Sequence, residues 1–431
     1  MITRNKGAED VMPGESYIWQ RVEQMAADIA GLYGFREIRF PTFEKTELFV
    51  RSVGETTDVV QKEMWTVKGR ESSYTLRPEG TAGCMRAVLQ NGLLNESLPQ
   101  KLWYQISAFR HENVQKGRLW EFHQFGAEMV GAAAPSADAE VIAFARVLLD
   151  SLGLDDAKLH INSIGCPECR QAYYDKLREY FEPNKDKLCA TCQSRLDKNP
   201  MRILDCKSAE DKAIAKDAPM ITDYLCDECR AHFDELKALL DGMGIAYEVD
   251  QKIVRGLDYY TRTVFEFISD SIGAQSTILG GGRYDKLLGQ MGGPETPALG
   301  FAMGMERVIL AMKAAGFDFG EPSTCDLYIA SMGDAEGHKA AILADALRKD
   351  GFRVETELCG RGFKAQMKYA NKIRAKYLLV IGGSELETGK ANIKNMKTGE
   401  QIPVDLEKDL AQAFMDTYVA DRIDIECGDA E

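Results

Sequence analysis

Between Glu15 and Tyr33 the apolar residues Ile18, Trp19, Val22, Met25, Ile29 and Leu32 recur at helical spacing, and Gly34 follows where a C-terminal cap belongs. The pattern predicts a long amphipathic helix. A short strand, Arg36 to Phe40, comes next and is halted by Pro41. Lys101 to Arg110 and Trp120 to Val130 read as strands, and the stretch between them, with Gln115, Lys116, Gly117 and Arg118, makes a hairpin with a long basic tip. Strand side chains alternate faces, so Phe122, Gln124, Gly126 and Glu128 leave one side of the second strand while Phe125 and Met129 leave the other. A polar face of this kind lines a site or meets solvent, and the pattern leaves both readings open.

The stretch Arg255 to Glu266, RGLDYYTRTVFE, sets a cation, a carboxylate and two phenols close together before running into the alternating Val264-Phe265-Glu266-Phe267. Alone it reads as an amphipathic strand whose Arg255 and Asp258 form a surface ion pair. Helices are expected over Ser136 to Leu152 and Met305 to Ala315, and strands over Lys158 to Ile164 and Tyr247 to Val254. From Cys166 to about Gly244 the texture changes to short charged helical segments carrying CPEC, CATC, DCK and CDEC. The expected organisation is a core of residues 1–165 and 246–322, an insertion at 166–245, and a terminal domain at 323–431. That last part alternates strand and helix, which predicts an α/β domain of mostly parallel pairing.

With 431 residues, 45% hydrophobic and 28% charged, the chain has material for about two or three domains. No run approaches the roughly 18 apolar residues of a membrane helix, and the start MITRNKGAED lacks an apolar signal stretch, so the expected setting is the cytoplasm, away from any membrane. Eleven cysteines then point to reduced thiols or metal ligands. A formal charge of -14 means that contact with nucleic acid would need a local basic patch. One such patch runs from Arg361 to Lys376: Arg361, Lys364, Lys368, Lys372 and Lys376 recur every three or four residues, opposite Phe363, Met367, Ala370 and Ile373.

Arg77-Pro78-Glu79-Gly80-Thr81 reads as a loop entering a helix, where Glu79 and Thr81 would hold an ammonium group or simply cap the helix. Arg110 and Arg118 are fixed cations suited to phosphate oxygens. No P-loop lysine motif and no GxGxxG is present, so a nucleotide would be held by arginines on a sheet. Cys166-x2-Cys169 and Cys189-x2-Cys192 are spaced for a four-thiolate zinc site, with Cys206, Cys226 and Cys229 as a second candidate cluster.

RGLDYYT (Arg255 to Thr261) and GGGRYD (Gly280 to Asp285) resemble signature peptides of the histidyl-tRNA synthetases. The resemblance extends to the three class II motifs: the long helix and strand ending at Pro41, the FRHE hairpin from Phe109, and GFAMGMERV ending near Arg307. It implies an antiparallel class II catalytic core with a C-terminal α/β anticodon-binding domain, an α+β protein overall. It further implies a homodimer that joins L-histidine to its tRNA through a histidyl-adenylate made from ATP. Arg255 and Arg110 would grip the α-phosphate, with Glu112, Arg118 and Arg307 completing the ATP-binding set and magnesium bridging the outer phosphates. Glu79, Gly80, Thr81, Gln124, Glu128, Tyr259, Tyr260 and Tyr284 would surround histidine. Gln115 and Lys116 on the tip, and Arg361, Lys364, Lys368 and Lys372 at the other end, would meet tRNA.

Two features depart from the resemblance. Trp120 stands where a basic residue near the acceptor stem is expected, which implies a different reading of the 5′ end of the tRNA. The insertion of this family has no general need of metal, which favours reduced cysteines over zinc. The rivals kept open are a synthetase-like regulatory subunit that binds histidine without catalysis, and a class II synthetase for another amino acid.

Overall fold

In Glu121–Val130, Phe125, Ala127 and Met129 leave one face and Gln124, Gly126 and Glu128 the other, and this strand lies near the centre of an eight-stranded sheet. The computed structural model describes residues 1–416 apart from 56, 207, 270, 272–276, 321–324 and 409. In spatial order the sheet runs Arg36–Glu37, Gln100–Phe109, Glu121–Val130, Ala298–Gly304, Thr277–Arg283, Thr261–Ile268, Lys158–Ser163 and Glu248–Val249. Every pairing is antiparallel except the two at the edges.

One face of the sheet is covered by helices. Phe125, Met129, Phe265, Phe267, Phe301 and Met303 pack against Pro13–Leu32, Pro135–Ser151, Asp227–Gly242 and Met305–Ala314 in a single buried cluster. Each such side chain contributes about 1.5–3 kcal/mol by leaving water. The first helix ends as its sequence predicts: Gly34 adopts φ 74°, and the Phe35 N–H reaches Ala30 O over 2.9 Å. Across this layer, Arg283 is fully buried and its guanidinium lies 2.6 Å from Asp138 on Pro135–Ser151, with further bonds to the carbonyls of Ala132 and Ala134. His232 Nε2 approaches the same carboxylate to 3.2 Å. Arg283 of the GGGRYD stretch therefore ties strand to helix, while Tyr284 turns to the other face.

That other face carries Gln124 and Glu128 and is closed in part by the cysteine-rich segment through its helices Pro167–Phe181, Ala190–Lys198 and Ala209–Ile214. The strand expected over Tyr247 to Val254 shrinks to Glu248–Val249, because the chain turns away at Asp250, where Oδ1 caps the Lys252 N–H.

Residues 1–319 form one compact unit and 320–431 a second. In the second, the five-stranded order is Val354–Thr356, Leu327–Ser331, Tyr377–Ile381, Lys390–Asn395 and Gln401–Asp405. Only its first three strands are parallel, so the expectation of mostly parallel pairing is corrected. A tight turn at Gly399, φ 81°, with Asn395 Oδ1 accepting the amides of Lys397 and Thr398, folds the last two strands into a hairpin, which forces antiparallel pairing.

Candidate active site

The hairpin register decides which side chains meet. Tyr104 stands opposite Gly126, Leu102 opposite Glu128 and Ile106 opposite Gln124, while the next strand sets Gly300 against Glu128. A Cβ at Gly80 or Gly126 would overlap the Tyr104 ring, and one at Gly300 would overlap the Glu128 carboxyl. Three bare backbone positions thus leave room for a buried carboxyl and its partners.

Glu128 is 1% exposed and accepts three hydroxyls: Thr81 Oγ1 at 2.7 Å, Tyr104 at 2.8 Å, and Tyr284. Burial pushes its pKa up to about 8, although the three hydrogen bonds favour the ionised form. The group is a carboxyl poised to hold or release a proton near neutrality. Tyr259 and Tyr260 complete the wall, their ring centres 4.7 Å apart, with Tyr284 5.5 Å from Tyr259. Glu79, also buried, accepts the amides of Thr81 at 2.7 Å and Ala82 at 2.9 Å and so caps the helix Thr81–Gln90. Burial raises its pKa as well. Tyr104 was absent from the residues singled out in the sequence, and it holds the centre of this pocket.

Beside the pocket opens a cleft of about 600 Å³ lined by Arg110, Glu112, Arg118, Gln124, Gly280 and Arg307. Arg110 is anchored through Nε to Pro78 O at 2.8 Å and lies 5.4 Å from the Phe122 ring centre, and its terminal nitrogens have no partner among the described residues. Arg118 pairs with Glu112 at 2.9 Å. Arg307 donates to Thr277 O at 2.7 Å and to Gly117 O, and burial followed by the charge of Arg118 lowers its pKa. The buried Oε1 of Gln124 has no hydrogen bond among the described residues.

Arg255 lies against Gly280, where a Cβ would strike its guanidinium, and it pairs with Glu266 across the same two strands. Burial opposes its charge, but Glu266 and Tyr260 outweigh that and raise its pKa. Its Nε is buried without a partner among the described residues. The surface ion pair with Asp258 expected from the strand reading does not form: Asp258 takes Arg202 at 3.0 Å instead.

At the hairpin tip Gln115 and Lys116 are exposed. Trp120 is half-buried. Its ring centre lies 4.7 Å from His111 and 5.7 Å from Trp65, and its amide donates to Gly7 O at 2.7 Å. In the second unit the helix Phe363–Lys372 exposes Lys364, Lys368 and Lys372. Arg361 leaves that row, stacked 4.3 Å from the Tyr369 ring centre and paired with Glu357, and Lys376 pairs with Asp326. Phe363, expected on the buried stripe, is 38% exposed and is the first residue of the helix.

The cysteines regroup. Cys166 and Cys169 meet Cys226 and Cys229, while Cys189 and Cys192 meet Cys206 and Asp211. The four-thiolate set Cys166, Cys169, Cys189 and Cys192 expected from spacing is therefore corrected: two helices remote in sequence begin side by side and bring the first and last CxxC together.

The family model described as histidyl-tRNA synthetase matches residues 7–308, and that of the anticodon binding domain matches residues 326–412. Histidine–tRNA ligase of Acetivibrio thermocellus is 51% identical over 403 residues, spanning 93% of this chain and 97% of that one. The Clostridium novyi ligase is 51% identical over 402 residues, with 93% and 96% covered. The crystal structure of apo S. aureus histidyl-tRNA synthetase matches with a TM-score of 0.82 at 38% identity, covering 96% of this chain and all of that one. With agreement of this extent over both of its units, the chain belongs to the histidyl-tRNA synthetase family.

Proposed function

We propose that this chain is a cytoplasmic histidine–tRNA ligase in which the buried carboxyl of Glu128 recognises the imidazole of L-histidine and the arginine cleft holds ATP. The observation that carries the reading is the adjacency of these two sites on one polar sheet face. In the first step a histidine carboxylate oxygen attacks the α-phosphorus, the bond to the bridging oxygen breaks, and pyrophosphate leaves. In the second, the terminal ribose hydroxyl of tRNA(His) attacks the histidyl carbonyl, and AMP departs.

Arg110, held from behind by Pro78 O, and Arg255, held by Glu266, take the α-phosphate from opposite sides, so catalysis is positioning together with electrostatic stabilisation by guanidinium groups that do not lose their protons. Arg118 and Arg307 take the outer phosphates. Glu112 and Glu63 in the cleft wall would offer hard oxygen ligands to a magnesium ion carried with ATP, which would neutralise charge on the pyrophosphate. Glu128 and Tyr260 bond the ring nitrogens, with Tyr259 and Tyr284 beside them. Gln124, whose Oε1 is buried and unpaired, Thr81 and the Glu79–Gly80 turn receive the α-ammonium group.

Gln115 and Lys116 face the acceptor end, and Lys364, Lys368 and Lys372 the anticodon arm. Because Trp120 is engaged by His111 and Gly7, charging depends less on an extra 5′ guanylate; transcripts with and without it test this. The chain acts as a homodimer formed by its first long helix and adjacent strand, to be checked by light scattering. The central test is exchange of pyrophosphate into ATP: histidine alone among the amino acids supports it, whereas no exchange with histidine would leave the regulatory reading in its place.

A further inference from the structure

We infer that the cysteine-rich segment holds two structural zinc ions, one on Cys166, Cys169, Cys226 and Cys229, the other on Cys189, Cys192, Cys206 and Asp211. In each group the four candidate ligand atoms lie within 4.8 Å of one another. Zinc–sulfur bonds of about 2.3 Å at tetrahedral angles set sulfurs about 3.8 Å apart. Cys166 and Cys169 are separated by 3.5 Å and Cys189 and Cys206 by 3.9 Å. These separations exceed the roughly 2.05 Å of a disulfide. An iron–sulfur cluster interposes sulfides and several irons between its thiolates and needs a wider frame.

The backbone is arranged for anionic sulfur. Cys166, Cys189 and Cys226 each immediately precede a helix, Pro167–Phe181, Ala190–Lys198 and Asp227–Gly242, and their partners Cys169, Cys192 and Cys229 lie in its first turn. All three CxxC pairs thus sit at positive helix ends, where thiolates are favoured. The Cys226 amide donates to Cys169 Sγ at 3.1 Å and the Ser208 amide to Cys206 Sγ at 3.4 Å. Gly165, φ 66°, stands where a Cβ would meet Cys169, so the chain enters the first group through a position that only glycine fits easily. Asp211 is fully buried; its Oδ1 accepts the Cys189 amide at 3.0 Å and its Oδ2 lies 3.0 Å from Cys206 Sγ, so one oxygen orients the group and the other faces the sulfurs. On binding, each thiol loses its proton to solvent and its sulfur bonds the metal, with no change of oxidation state.

The two ions would do different work. The first group joins two helix starts of the insertion that lie far apart in sequence, Cys169 and Cys226 being separated by 57 residues. The second stands in the wall of the arginine cleft, which Cys189 and Cys206 help to line.

The full-length chain, expressed in zinc-supplemented medium and desalted, should carry about two zinc per chain by mass spectrometry of the metal, set by one four-ligand site each. Cys226→Ser and Cys206→Ser should each lose one equivalent, and Cys359→Ser, at an exposed thiol, should lose none. Because a ligand variant can fail to fold, the wild-type chain is also prepared with cobalt: tetrahedral thiolate coordination gives intense visible d–d bands with sulfur charge transfer in the near ultraviolet. Wild-type protein with negligible metal and freely titrating thiols, with disulfides in these pairs, or with iron in place of zinc overturns the inference. A variant that leaves the zinc content unchanged overturns it for its own group.

Discussion

The phenol of Tyr104 donates to Oε1 of Glu128 over 2.8 Å, and the strand register that sets Tyr104 opposite the bare Gly126 makes this contact possible. Removing the hydroxyl by Tyr104→Phe leaves the ring in place and takes one of three donors from the carboxyl. The expected result is a rise in KM for histidine of about tenfold, the value of roughly one buried hydrogen bond, with KM for ATP unchanged. Pyrophosphate exchange at varied histidine measures it.

Gly126→Ala tests the space itself. The added methyl overlaps the buried Tyr104 ring, which is closed in on its other side by Gly80. Overpacking should lower stability by about 1–3 kcal/mol and abolish histidine-dependent exchange. Urea denaturation reads the first effect.

Glu128 also gives a pH signature. Its folded pKa is about 8, above its ordinary 4.5, so between these values the folded chain binds more protons than the unfolded one. Stability is then fully present below the lower value and declines as pH rises towards the upper, by at most about 1.4 kcal/mol per pH unit from this group. Denaturation midpoints at pH 6 and pH 8 should fall more steeply for the wild type than for Glu128→Gln.

Asp138 and Arg283 form a buried pair with little solvent to replace either partner. Asp138→Ala leaves the buried guanidinium with Asp285, at 3.1 Å, as its remaining carboxylate among the described residues and should cost about 1–3 kcal/mol. Calorimetry on both forms decides it; a loss near zero would mean that Asp285 and the Ala132 and Ala134 carbonyls suffice.

Lys364→Ala, Lys368→Ala and Lys372→Ala together should weaken tRNA charging and flatten its dependence on salt by about one ion per lost phosphate contact, while leaving pyrophosphate exchange as it was. Aminoacylation at two salt concentrations separates these outcomes.

Much of the architecture was legible because it follows local periodicity. The first helix, both strands of the basic hairpin and the opposition of Gln124 and Glu128 to Phe125 and Met129 are all present as their spacing implies. What escaped depends on closeness across the fold. Tyr104 lies in an apolar strand and reads as core; only the missing side chains at Gly80 and Gly126 turn it into a pocket residue. Cysteine spacing suggested neighbours in sequence, whereas helix ends remote in sequence set the groups. Arg255, which a plain strand reading would pair with Asp258, pairs with Glu266 instead, a contact fixed by the strand register that sets Glu266 opposite Gly280.

Along Glu121–Val130, successive residues answer to separate masters. A change at Phe125, Ala127 or Met129 disturbs the seat of the helices and can be rescued by a compensating neighbour in that layer. A change at Gln124, Gly126 or Glu128 leaves that seat alone and alters what the opposite surface accepts. One ribbon can therefore inherit a new ligand preference without inheriting a new shape.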